Sequence, residues 1–305
     1  MTLVIAVLTQ NYVILASDRR ISRPIVDPTS PRGFRIEARD SDIKTVTLDH
    51  RYLLGFSGIA RINDFRMEAT LVEWLEPPVP SIMYFETIRD RIQEYFDDKQ
   101  LFDMNVSHAF VGAGFVHDPR GNRWITESTM VSNSFDSNDE YSNVFISRNF
   151  RVVTKRLFGN RPTIRTVGAE IPTLEYQQLQ RALIKATNQH PRDPQPMFQP
   201  MIRALRATAA INPTVSKEMI LSSLPRVAVP IEASSTYMGV PTDFTQAEFN
   251  TTITAGSEQF LRGMQYTPAF IRPDGANSMA GVMRIGPGPI EFGPPPAGYF
   301  EPERD

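Results

Sequence analysis

Two short runs of almost unbroken aliphatic residues stand near the start of the chain, Leu3 to Leu8 and Tyr12 to Ser17, separated only by Thr9-Gln10-Asn11. Runs this short fit strands better than helices, and Val and Ile favour extended backbone because their branched Cβ crowds a helical turn. The polar residues between them read as a hairpin turn. The chain therefore opens in a sheet, and any fold it adopts must bury both strands.

A polar, Pro-containing excursion from Ser22 to Asp42 comes next, read as a loop. Lys44 to Leu48 and Tyr52 to Ser57 predict a second strand pair, so four early strands in hairpin order argue for antiparallel pairing. Ile62, Phe65, Ala69, Val72 and Leu75 recur near the helical period, as do Phe85, Ile88, Ile92 and Tyr95, with Pro77, Pro78 and Pro80 between the two helices. Strands are predicted again at Ser107 to Phe115, Asn122 to Thr126, Val144 to Ser147 and Ile164 to Val167. Helices are expected at Leu174 to Ala186 and Phe198 to Ala209, then a short helix within Asn212 to Leu224 and a strand at Val227 to Ile231. This order, strands then helices then strands then helices, is that of an α+β protein. Residues 1–232 read as one domain, 233–284 as a C-terminal extension and 285–305 as a Pro/Gly-rich tail.

Composition narrows the chemistry. The chain of 305 residues has no cysteine, which removes disulfides, thiolate metal sites and cysteine nucleophiles. A formal charge of −2 offers no basic footprint for nucleic acid or an anionic membrane. The N-terminus lacks the basic and continuous apolar regions of a signal peptide, and no stretch reaches membrane-spanning length, so a cytoplasmic protein is expected. His50, His108, His117 and His190 show no metal-ligand spacing and read as solvated loop residues. Gly112-Ala113-Gly114 lacks the context of a phosphate loop and reads as close packing, while Trp74 and Trp124 read as core. Neither cofactor nor metal is called for.

Thr2 stands directly after the initiator Met. A threonine hydroxyl is a poor nucleophile until its proton is taken, and a threonine that heads the mature chain can use its own α-amino group, with a pKa of about 8, as that base. Removal of Met1 would create this pair without a propeptide. Residues further along the chain strengthen the signal: TLVIAVLTQNYVILASDRR, then Lys44 opening a strand, then LLGFSGIARI, with Gly58 fourteen residues after Lys44.

Together these residues resemble the opening of proteasome β-type subunits, which are N-terminal nucleophile hydrolases. The resemblance implies a four-layer αββα sandwich, two antiparallel sheets face to face with helices on both outer faces. It also implies amide or peptide-bond hydrolysis, a peptide or protein substrate, assembly into a homo-oligomeric ring and a regulatory partner. Carried over by position, Thr2 matches the nucleophile, Asp18 the acid that orients the lysine, and Arg20 the supporting arginine. Lys44 matches the buried lysine, and Gly58 the glycine whose N–H forms the oxyanion hole. Each role has a physical basis: an ammonium beside the threonine oxygen stabilises developing negative charge, and a carboxylate keeps that ammonium charged when buried. A backbone N–H aimed at the substrate carbonyl stabilises the tetrahedral intermediate.

The sequence departs from the pattern in three places. The 22–42 excursion is long and reads as an added loop at the mouth of the site; Asn212 stands where the family has an Asp; and Thr166-Val167-Gly168-Ala169 contains no Ser where one falls in the family. A non-catalytic, assembly-forming subunit and a small-molecule amidase of the same fold are the alternatives.

Overall fold

The structure, a computed structural model, describes residues 2–26, 29, 34–40, 44–48, 52–62, 65–75, 83–104, 106–118, 123–157, 161–217 and 219–226. Beyond these it describes residues 234–236, 252–253, 267–271, 277–278, 282–284 and 291–292. Strands β1 (Leu3–Leu8) and β2 (Tyr12–Asp18) form the expected antiparallel hairpin, with Val4 opposite Ser17 and Leu8 opposite Val13. Thr9 makes the turn: its Oγ1 accepts from the N–H of Asn11 at 3.2 Å and of Tyr12 at 2.9 Å, and donates to the Tyr12 carbonyl at 2.7 Å.

The remaining labelled elements are β3 (Arg20–Val26), β4 (Phe34–Asp40), β5 (Thr45–Leu48), β6 (Tyr52–Ser57), β7 (Arg61–Ile62), β8 (Phe65–Arg66), α1 (Met67–Leu75) and α2 (Tyr84–Asp98). They continue with β9 (Ala109–Asp118), β10 (Arg123–Ser132), β11 (Arg151–Arg156), β12 (Thr163–Gly168), α3 (Thr173–Gln189), α4 (Phe198–Ile211) and β13 (Met219–Pro225). One sheet runs β12-β1-β2-β13 and continues through residues 267–271 and 277–278; the other runs β11-β10-β9-β6-β5 and continues through residues 252–253. The protein is thus α+β, with antiparallel pairing throughout both sheets except at the parallel contact of residues 252–253 with β5.

Because side chains alternate along a strand, each sheet divides its residues between two cores. Leu3, Ile5 and Val7 of β1 pack with Ile14, Leu221 and residues of α3 and α4, including Leu179, Leu183, Met201 and Leu205. Val4, Ala6 and Leu8 point the other way and meet Leu53, Val111, Ala113 and Met130 of the second sheet. The opposite face of that sheet, with Leu54, Phe56 and Phe110, packs against Leu71, Leu75, Ile88, Ile92 and Phe96 of α1 and α2. Fully burying each such side chain contributes about 1.5–3 kcal/mol. Trp74 and Trp124 pack against these cores as expected, and Gly112 leaves room for the Phe85 ring, which an added Cβ would meet at 2.4 Å.

Several expectations change. Within the 22–42 excursion the chain forms a paired ribbon: β3 and β4 align Arg20 with Asp40 through Val26 with Phe34. Helix α1 begins only at Met67, while Ile62 and Phe65 pair with each other as strand residues; Asn63 and Asp64 between them are residue types that favour turns over helix. No strand forms at 144–147, where Val144 and Phe145 are 77% and 58% exposed; the partner of β10 is β11, whose longer run satisfies six pairs. β10 itself continues past Thr126 to Ser132 through Glu127, whose buried carboxylate accepts from Tyr52 Oη at 3.0 Å and Arg156 Nε at 2.9 Å. The short helix expected after Asn212 is replaced by a turn and by β13, which fills the sheet position beside β2. Residues 227–231, expected as a strand, lie outside the described residues, as does most of the chain from 233 onward. Among the described residues no helix is long and apolar enough to cross a membrane.

Candidate active site

Antiparallel register gathers the candidate residues at one edge. In the first sheet the start of β1 lies beside the end of β12, with Leu3 opposite Gly168, and the end of β2 lies beside the start of β13, with Asp18 opposite Met219. In the second sheet Lys44, just before β5, binds the end of β6 through its carbonyl, which accepts from Phe56 N at 3.2 Å. Strand ends far apart in sequence thus meet around Thr2.

Thr2, Asp18 and Lys44 are all buried, at 4%, 0% and 1% exposure. Lys44 Nζ donates to Thr2 Oγ1 at 2.5 Å and to the Arg20 carbonyl, and lies 3.4 Å from Asp18 Oδ1 and 3.5 Å from Oδ2. An ammonium has three N–H bonds and no lone pair. The groups around Lys44 Nζ give each of these an acceptor in Thr2 Oγ1, Asp18 and the Arg20 carbonyl.

Asp18 is fixed as firmly. Its Oδ1 accepts from Leu3 N at 2.9 Å, and its Oδ2 from Arg20 N at 3.0 Å and Ser216 N at 3.1 Å. A buried charge costs several kcal/mol unless it is paired and hydrogen-bonded, and this carboxylate is both. Arg20 joins the site through its backbone, while its Nη1 donates to the Pro213 carbonyl at 2.8 Å and ties down the 212–216 turn.

The carbonyl of Thr2 is held from the other side. It accepts from Ala169 N at 2.7 Å and from Ser57 Oγ at 3.3 Å. Gly168 has φ +91°, and a Cβ there would lie 1.7 Å from Thr2 O, so glycine is required on both counts. The Gly168 carbonyl accepts from Asn143 Nδ2, and Asn143 Oδ1 from the Tyr141 hydroxyl. Burial raises the Tyr141 hydroxyl above its ordinary pKa, which keeps it a donor.

Gly58, directly after Ser57, has φ +114°. Beside it stands His108, a correction to the solvated loop residue expected: it is completely buried, and its Nδ1 accepts the Ile59 N–H at 2.8 Å. Burial lowers its pKa to about 3, so the ring is neutral at physiological pH. His190 is exposed as expected; His50 and the side chain of His117 lie outside the described residues.

Five residues singled out by sequence, Thr2, Asp18, Arg20, Lys44 and Gly58, are therefore placed at one edge, the first four linked by direct hydrogen bonds. Asn212 serves its own turn, its Oδ1 accepting from Thr214 N at 3.0 Å and Thr214 Oγ1 at 2.6 Å. Sequence reasoning misses Ser57, Gly168, the Ser216 N–H and His108. The Val167-Gly168 step closing an apolar strand is the one available signal for the second of these.

No protein-family model matches the chain, and no curated protein matches it. Among solved structures, the chain is similar to an Anbu (Gly-1) mutant from Hyphomicrobium sp. strain MC1, at 11% identity over 73% of this chain and 80% of that one, with a TM-score of 0.40. It is similar too to Anbu, an ancestral beta-subunit, from Yersinia bercovieri, at 12% identity over 74% and 82% of the two chains, also with a TM-score of 0.40.

Proposed function

We propose that this chain is a threonine-type N-terminal nucleophile hydrolase of proteasome-like kind, in which Thr2, freed by removal of Met1, cleaves amide or peptide bonds. The observation that carries the reading is the 2.5 Å contact of the Lys44 ammonium with Thr2 Oγ1 inside a buried network anchored on Asp18. The three cores, one between the sheets and one under each helix pair, support the αββα sandwich that goes with this chemistry.

In the proposed reaction the free α-amine of Thr2 takes the Oγ proton as that oxygen attacks the substrate carbonyl. Lys44 stabilises the oxygen as negative charge develops, and the Gly58 N–H donates to the oxyanion. The amine then returns the proton to the leaving nitrogen, giving an ester on Thr2. Water, activated by the same amine, hydrolyses that ester.

Thr2→Ala should abolish hydrolysis of a mixed peptide library in a chain that still folds, because it removes the attacking oxygen, and should lower stability by about 1–3 kcal/mol because one buried Lys44 N–H loses its acceptor. Equal hydrolysis by wild type and variant would refute the reading. A homo-oligomeric ring in the cytoplasm belongs to the same proposal; Leu71 and Trp74 of α1 pack within the chain. One observation favours the non-catalytic subunit as a second reading: Asn212 brings no negative charge and is committed to Thr214. Wild-type protein with a free Thr2 amine and no hydrolysis would select it.

A further inference from the structure

His108 is a completely buried titratable group that the proposed reaction does not use. Its ring sits among Phe96, Phe110 and Phe150, with centroid separations of 6.0, 4.7 and 6.3 Å, and none of these neighbours titrates. Packing alone would be served as well by another phenylalanine. What distinguishes histidine is the ring nitrogen that faces the backbone after β6.

That nitrogen, Nδ1, accepts the Ile59 N–H at 2.8 Å, and a Cβ on Gly58 would come within 2.6 Å of it. Thus the atom that holds Ile59 is also, with the Ser107 carbonyl at 2.7 Å, one that a side chain at Gly58 would strike. Ser57, on the other side of Gly58, reaches Thr2 O at 3.3 Å. The histidine backbone is itself anchored: its N–H donates to Asn133 Oδ1 at 2.9 Å, and its carbonyl accepts from Ser132 Oγ at 2.9 Å. Asn133 Nδ2 in turn donates to the Val106 carbonyl at 2.9 Å. A rigid post therefore stands behind the turn that carries the expected oxyanion donor.

We propose that His108 is a positioning residue for the oxyanion site, its neutral Nδ1 fixing the Ser57-Gly58-Ile59 turn so that the Gly58 N–H keeps its orientation beside Thr2. The inference rests on the hydrolase reading for its catalytic consequence, but not for its structural one. An N–H donor misdirected by a fraction of an ångström stabilises the oxyanion less while leaving ground-state binding of the peptide almost unaffected.

The test uses two variants of the full chain. His108→Phe keeps an aromatic ring and removes the acceptor; His108→Asn keeps an acceptor oxygen on the same carbon that carries Nδ1. Amide hydrogen exchange at Ile59, compared at equal global stability, should rise at least about tenfold in His108→Phe and stay near wild type in His108→Asn, as expected when a protecting hydrogen bond is lost or kept. With peptide substrate, His108→Phe should lose roughly tenfold or more in kcat with KM little changed, and His108→Asn should recover most of that loss. Unchanged exchange at Ile59 in His108→Phe overturns the proposal, as does kcat that falls equally in both variants. If wild type hydrolyses nothing, the hydrolase reading has failed, and the exchange data alone decide the positioning role. Should His108→Phe not fold, nitrogen NMR of wild-type His108 serves: an unprotonated Nδ1 supports the proposal and a protonated one overturns it.

Discussion

Thr2 is held from two sides that differ in kind. On one side a buried ion pair, Lys44 and Asp18, meets its hydroxyl and the N–H of the following residue. On the other, uncharged groups grip its carbonyl: Ala169 N, Ser57 Oγ and the Gly168 backbone close behind. The charged side supplies the field that the proposed chemistry needs. The neutral side contributes position. Chemistry and placement are therefore separable here, and substitutions on the two sides should fail differently.

The largest effect is expected from Lys44→Ala. It leaves the Asp18 carboxylate buried without its counter-charge, a loss of about 3–5 kcal/mol, and removes the donor to Thr2 Oγ1. Activity should fall to background and the urea midpoint should drop sharply. Retained turnover in a folded Lys44→Ala sample would show that the charged side does not drive the reaction.

Gly168→Ala should come next, with the opposite emphasis. A methyl group at 1.7 Å from Thr2 O, on backbone at φ +91°, forces β1 and β12 apart and should cost more than about 2 kcal/mol. Activity should fall because Thr2 moves, although every charged group remains. A urea midpoint within experimental error of wild type would show that this junction adapts and that the neutral side places nothing.

A smaller effect is expected from pH. His108 titrates at the ordinary 6.5 when unfolded and at about 3 when folded, so between these values the unfolded chain binds the extra proton. The stabilisation is complete above the unfolded value and is lost as pH falls through this window, with a slope approaching 1.4 kcal/mol per pH unit, about one proton's worth. Urea denaturation of wild type and His108→Asn from neutral to acid pH isolates this contribution, since other groups cancel in the difference. Parallel curves would mean that His108 is not held neutral.

The same division explains what the sequence discloses. The charged side is legible only through the resemblance, which points to Thr2, Asp18 and Lys44 together; each stands at the end of an apolar run, and the pairing of those runs brings the three into contact. Gly58 stands out only because its step from Lys44 resembles that of the proteasome-like pattern. The neutral side is not legible, because backbone N–H and carbonyl groups are present at every residue, and only register determines that Ala169 and Ser216 point theirs at Thr2 and Asp18. His108 misleads for a related reason. Flanked by Ser107 and Ala109, it gives no sign in sequence that Phe96 and Phe150, from other segments, enclose it together with Phe110. The 22–42 segment reads as a loop from its polarity and Pro24, yet β3 and β4 pair through that proline, consistent with the tolerance of a two-stranded ribbon for a missing donor.

The most direct test of the central claim is intact-mass analysis after exposure to an electrophile that forms its adduct with both the hydroxyl and the amine of an N-terminal threonine. The account predicts protein lacking Met1 and carrying one adduct on Thr2, with no adduct in Thr2→Ala and none in Lys44→Ala. Wild-type protein that has a free Thr2 amine yet remains unlabelled, or that is labelled equally well without Lys44, would contradict it.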